Sequence, residues 1–103
     1  MLRDGSPADA QASRPGLVFF HSSRSGPSRR VEGFLAQVLQ RRGNHRTFRL
    51  YRVGREERPD LTARFGIEAV PTLVVVEGKR VHARLEQPRG CDEIESFLAP
   101  WLK

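Results

Sequence analysis

Leu17-Val18-Phe19-Phe20 opens the decisive stretch, His21-Ser22-Ser23-Arg24-Ser25-Gly26-Pro27-Ser28 follows it, and Val31, Phe34, Leu35, Val38 and Leu39 complete it. The first four residues are apolar without alternation, which predicts a strand covered on both faces. Polar residues, glycine and proline from Ser22 to Gly26 predict a turn. The five apolar residues beyond it recur at i, i+3, i+4, i+7 and i+8, which places them on one face of a helix. Pro27 suits the first helical turn, and a serine beside it can cap the free N–H groups. Arg41 and Arg42 fall in the expected last turn, where positive charge suits the helix dipole, and Gly43 is the expected stop.

Working outward, Thr47 to Val53 reads as a second strand, with Phe48, Leu50, Tyr51 and Val53 among arginines. Pro59 to Gly66 reads as a short helix, with Pro and Asp in its first turn and Gly at its end. Thr72 to Val76 is an apolar, β-branched strand, and Glu77-Gly78 turns it into Arg80 to Leu85 as a hairpin. Ile94, Phe97, Leu98 and Trp101 repeat the helical spacing near the C-terminus. Phe34, Leu35, Phe48, Phe65, Phe97 and Trp101 are assigned to the core. The order is β-α-β-α-β-β-α. Strands joined through a helix should be parallel, and the hairpin adds an antiparallel strand, so a four-stranded mixed sheet is expected. Residues 1–15 are small and polar with no apolar period, and are expected to form a disordered tail before a domain at 16–103.

Composition bounds the function. The chain has 103 residues, 38% hydrophobic and 29% charged, which suits one small domain. No apolar run approaches the ~20 residues of a membrane span, and no secretory leader is visible. One cysteine, Cys91, excludes an intrachain disulfide, and His21, His45 and His82 lack metal-ligand spacing. The expected location is the cytoplasm, with no metal and no cofactor. The net charge is +6, and arginine supplies 16 of the 18 basic residues. Between Arg24 and Arg58 the net charge is +7, against −1 for the remainder. A solvated face is the first reading of that excess; an acidic partner surface or a polyanion would also feel it. The arginines are placed along the outer face of a helix and a strand. No nucleic-acid motif accompanies them, and the aromatics fall at core positions instead of among the basic residues.

The order of elements, with four motifs in register, resembles the thioredoxin family from about Leu17 to Leu102. Ser25-Gly26-Pro27-Ser28 stands where the family has Cys-Gly-Pro-Cys at a helix start. Pro59-Asp60-Leu61 to Phe65-Gly66-Ile67 is similar to the family's Asn-Pro-x-Leu-Ala-x-x-Tyr-Gly-Ile helix. Val70-Pro71-Thr72 matches its Ile/Val-Pro-Thr, and the Gly hairpin and C-terminal amphipathic helix complete the set. The resemblance implies a thioredoxin-like fold with strand order 2-1-3-4 and a cis bond before Pro71. It also implies a trimmed core, since the family's first strand and helix have no counterpart in the short polar stretch before Leu17.

The departures bear on chemistry. In the family the two motif cysteines exchange disulfides, which needs an activated thiolate. Here both positions are hydroxyls, Ser25 and Ser28. Arg24 replaces the family's tryptophan, and Phe19 replaces its buried aspartate. No catalytic residue is assigned. Arg24, Val70 and Pro71, beside Ser25, are expected to line a groove for a peptide or partner, because relatives present the backbone before this proline to an extended substrate. Arg29 and Arg30 are candidate anion ligands at the helix N-terminus. Cys91 is a candidate reactive thiol at the start of the last helix. Three readings follow. The first is a redox-inactive binding or adaptor module for an acidic or extended protein segment. The second is a thiol-disulfide oxidoreductase by descent, with residual activity at Cys91. The third is an anion or nucleic-acid binder through the arginine-rich face.

Overall fold

β1 (Gly16–His21) is the strand that fixes the layering, because both of its faces are apolar. In the computed structural model, which describes residues 14–102, Leu17 and Phe19 face one layer, Val18 and Phe20 face the other, and all four are buried. β2 (Arg49–Gly54) lies parallel to β1, with Gly16 opposite Arg49 and His21 opposite Gly54. β3 (Thr72–Glu77) runs antiparallel on the other side of β1, and β4 (Arg80–Glu86) runs antiparallel to β3. The four-stranded mixed sheet therefore has the order β2-β1-β3-β4, the order expected from the sequence. Arg14 and Pro15 are tied to the fold: Arg14 Nη1 donates to the Arg46 carbonyl, and the Pro15 carbonyl accepts from Arg49 N–H. The expected tail falls otherwise at residues 1–13, outside the described residues.

Three α-helices cover the sheet unequally. α1 (Gly26–Gln40) and α3 (Cys91–Leu98) pack against each other on one face. There Val31, Leu35, Val38 and Leu39 of α1 and Ile94 and Leu98 of α3 meet Leu17, Phe19, Leu73 and Val75 of the sheet. Each such side chain, fully buried, contributes about 1.5–3 kcal/mol. Among the described residues the other face has only α2 (Pro59–Arg64), six residues long, beside Val18, Phe20, Val53, Ile67 and Val74.

Four local expectations need correction. α1 ends at Gln40, not at Gly43, because Arg41 leaves the helical region at ψ 128° and a 3₁₀ helix follows over Arg41–Arg46. The Asn44 side chain holds this break by donating to the Arg41 carbonyl at 2.8 Å, and Gly43 winds through it at φ +67°. β2 begins at Arg49 and not at Thr47, because Thr47 closes the 3₁₀ helix through its N–H on the Asn44 carbonyl and its hydroxyl on Asn44 Oδ1. Trp101 lies beyond α3. Pro100 has no N–H for the Ser96 carbonyl, which takes the Ala99 N–H instead, and the helix stops. The Trp101 ring still packs edge-on to Phe48, with centroids 6.3 Å apart. Finally, Leu35 and Phe48 are buried, but Phe34, Phe65, Phe97 and Trp101 are only partly buried and sit at the margins of the two clusters.

Candidate functional site

The start of α1 is built from hydroxyls that serve the backbone. Ser25 is the N-cap, with extended dihedrals of −109° and 117°, and its Oγ accepts the Ser28 N–H at 3.1 Å. Ser28 is 3% exposed, and its Oγ accepts the Ser22 N–H at 3.1 Å. Pro27 occupies the first turn, where its missing N–H leaves nothing unpaired. The Ser22 hydroxyl in turn accepts the Arg24 N–H and donates to Glu56 Oε2 at 2.5 Å. That hydroxyl holds the Glu56 carboxyl below its ordinary pKa; desolvation opposes it, and the Arg24 charge assists. Where disulfide exchange requires two thiols, this helix mouth has two alcohols, both accepting backbone hydrogen bonds.

Phe19, at the position the resemblance gives to a buried aspartate, is 2% exposed in the main core cluster, and its ring stacks on His21 with centroids 5.2 Å apart. The Val70–Pro71 peptide bond is cis. Gln87, at φ +48°, reaches back to this turn: its N–H donates to the Pro71 carbonyl at 2.7 Å, and its amide makes a weak contact of 3.5 Å with the Val70 carbonyl.

α1 faces this turn across a cleft of about 450 Å3, with Pro27, Arg30 and Phe34 on one side and Pro71, Pro88 and Arg89 on the other. The structure thus gathers Pro71 with Arg30. Arg24, Ser25 and Val70 do not line this cleft, and Arg24 stands exposed on the turn. Arg29 turns instead into a neighbouring hollow with His21, Ser23, Ser28 and Glu32, so Arg29 and Arg30 do not converge on one anion. They are adjacent on a helix and therefore point about 100° apart. Cys91 is half-buried behind the cleft, with Sγ 3.1 Å from Gln37 Oε1 and 3.8 Å from the Phe34 carbonyl. Among the described residues no three His, Cys, Asp or Glu side chains cluster to hold a metal.

Neither Glu56 nor Gln87 is singled out by the sequence, and Arg89 is marked there only as a charge beside Cys91, not as a wall of this cleft. Ser22 and Glu56 are 34 positions apart, and no local pattern couples them. Gln87 follows an edge strand in a backbone conformation that its residue type does not favour. Arg89 lies outside the basic stretch that drew attention by its charge.

Known proteins share this architecture. A curated thioredoxin from Alicyclobacillus acidocaldarius subsp. acidocaldarius is 29% identical over 93 residues, covering 90% of this chain and 87% of that protein. The crystal structure of Trxlp from Edwardsiella tarda matches with a TM-score of 0.76 at 18% identity, covering 94% of each chain. The germline-specific thioredoxin Deadhead of Drosophila melanogaster matches at 0.74 and 18% identity, over 92% of this chain and 88% of its own. The fold is thioredoxin-like. The family model for thioredoxin matches residues 8–100, nearly the whole sequence, and the chain belongs to the thioredoxin family.

Proposed function

We propose that this chain is a binding or adaptor module of the thioredoxin family that has given up dithiol exchange and recognises an acidic or extended segment of a protein partner. One observation carries the reading: the two motif positions, Ser25 and Ser28, are hydroxyls engaged with backbone N–H groups, at the start of the helix that faces the cis-proline turn across the cleft. The cleft also suits an acidic chain. Arg30 and Arg89 flank it, and among the described residues neither guanidinium is in an ion pair. Phe34, Pro27 and Pro88 give it apolar walls. A reducing compartment such as the cytoplasm suits a chain whose single thiol is unpaired.

The test has two arms. Insulin reduction with dithiothreitol should proceed no faster with the protein than without it. A Glu-Ala repeat peptide should shift the amide resonances of Arg30 and Arg89 in a saturable and salt-sensitive manner. A disulfide turnover rate like that of dithiol relatives overturns the first arm, and absence of saturation overturns the second.

The name of the curated relative favours a second reading, an oxidoreductase by descent whose residual activity rests on Cys91. It requires the thiol to leave Gln37 and Phe34. Any insulin-reducing rate that disappears in Cys91→Ser supports it.

A further inference from the structure

Among the described residues the sheet face opposite α1 and α3 is only half covered, and its open half is a trough of about 420 Å3. Sites for small molecules occupy about 300–1,000 Å3, so the size is that of a ligand site. Register explains its lining. Arg49 and Tyr51 pair with Gly16 and Val18, so their side chains share the face of Val18 and away from α1. Leu61 and Phe65, from α2 and the turn after it, form the wall. The trough shares no lining residue with the cleft at Pro71.

Its charges are unequal. Arg52 is paired with Glu32, and Arg58 is held by both oxygens of Asp60 at 2.9 and 3.0 Å. Arg49 is in no ion pair among the described residues. Its guanidinium carbon lies 5.9 Å from the centre of the Tyr51 ring. Its Nε is buried and has no hydrogen-bond partner among the described residues. An unmet buried donor costs about 1–3 kcal/mol, more when it belongs to a charged group, so it marks a place for an acceptor.

We propose that this trough binds a small amphiphilic monocarboxylate, whose carboxylate accepts from Arg49 while its apolar body lies on Val18, Tyr51, Leu61 and Phe65. One cation without an ion pair among the described residues, beside an apolar floor, suits a single negative charge on a hydrocarbon or aromatic body. A polyphosphate would need further free cations and would leave the floor uncovered.

Decanoate is the probe, titrated into the full chain and followed by the Arg49 Nε–H resonance and the Tyr51 ring signals. Saturable shifts of both are expected. Decanol, of equal length and without charge, should bind at least tenfold more weakly. Arg49→Gln, with its fold checked by the amide spectrum, should bring decanoate to the affinity of decanol. Equal binding of decanoate and decanol to the unmodified chain overturns the proposal, as does a failure to saturate below the micellar concentration. So does a shift of the Arg49 Nε–H resonance caused, without probe, by Asp4→Asn with Asp9→Asn, because the chain's own acids would then hold that group.

Discussion

Ser28→Ala should destabilise the fold more than Ser25→Ala, although Ser25 is the residue in the capping position. The Ser25 Oγ accepts the Ser28 N–H at the half-buried start of α1. In the alanine variant water reaches that donor, so the cost is that of an ordinary lost cap, about 1 kcal/mol. Ser28 is 3% exposed, and its Oγ accepts the Ser22 N–H in a buried bond. Its removal leaves that N–H without water, which costs about 1–3 kcal/mol. Values near 1 and 2 kcal/mol are therefore expected. The double variant should cost less than their sum, because a frayed first turn admits water to Ser22, and neighbouring groups in one network are not additive. Urea unfolding followed by the single tryptophan, Trp101, reads all three. With a slope of about 1–2 kcal/mol per M, Ser28→Ala lowers the midpoint by about 1–2 M. A change below about 0.5 kcal/mol, the size of an ordinary surface substitution, would refute the reasoning. So would a larger loss in Ser25→Ala.

Three further outcomes follow from the same structure. Phe19→Asp, which restores the acid expected from family resemblance, removes a 2%-exposed ring and buries a carboxylate; a loss of at least about 4 kcal/mol at neutral pH is expected by thermal melting, and unchanged stability would show that Phe19 is not core. Asp60 is held down to about 2 chiefly by its hydrogen bonds from Arg58, and Glu56 is lowered by the Ser22 hydroxyl. Because both folded values lie below the unfolded ones, their stabilisation is complete above the ordinary carboxylate range and is lost as pH falls through it toward 2; urea midpoints should decline over that window, and less steeply in Asp60→Asn. Gly66 and Gly33 should respond with opposite signs to alanine, although a Cβ meets nothing within 4 Å at either. Gly66 sits at φ +66°, where a side chain costs about 1 kcal/mol or about 4–8 °C of Tm, whereas Gly33 is inside α1, where alanine gains about 0.5–1 kcal/mol.

The fold was legible where a single local pattern decides an element. The unbroken apolar run at Leu17 to Phe20 requires cover on both faces, and it became the central β1. The spacing of Val31 to Leu39 could bury only one stripe, and it became the inner face of α1. The boundaries were not legible, because they depend on polar partners. Nothing in the apolar spacing stops α1 at Gln40; Asn44 does so by bonding to the Arg41 carbonyl and to Thr47. Trp101 keeps the helical period but packs from beyond the helix, since Pro100 ends the hydrogen-bond ladder before it.

The arginines show why the site was less legible than the fold. A count from Arg24 to Arg58 gives +7 and suggests one basic face. Within that stretch the chain runs through α1 and β2 up to the start of α2, and β2 alternates. Arg52 therefore meets Glu32 of α1, while Arg49 lies on the opposite face beside Tyr51. Arg41 and Arg58 are paired with Glu95 and Asp60, and exposed pairs of this kind contribute little to stability but do cancel local field. What remains beside Pro71 is Arg30, from the basic stretch, with Arg89, from a segment whose net charge is −1. Attraction for an acidic chain thus depends on two residues 59 positions apart, brought together because α1 and the turn after β4 share one end of the sheet. Removing either charge should weaken capture of the Glu-Ala peptide more than removing Arg41 or Arg58, which carry equal charge and point elsewhere.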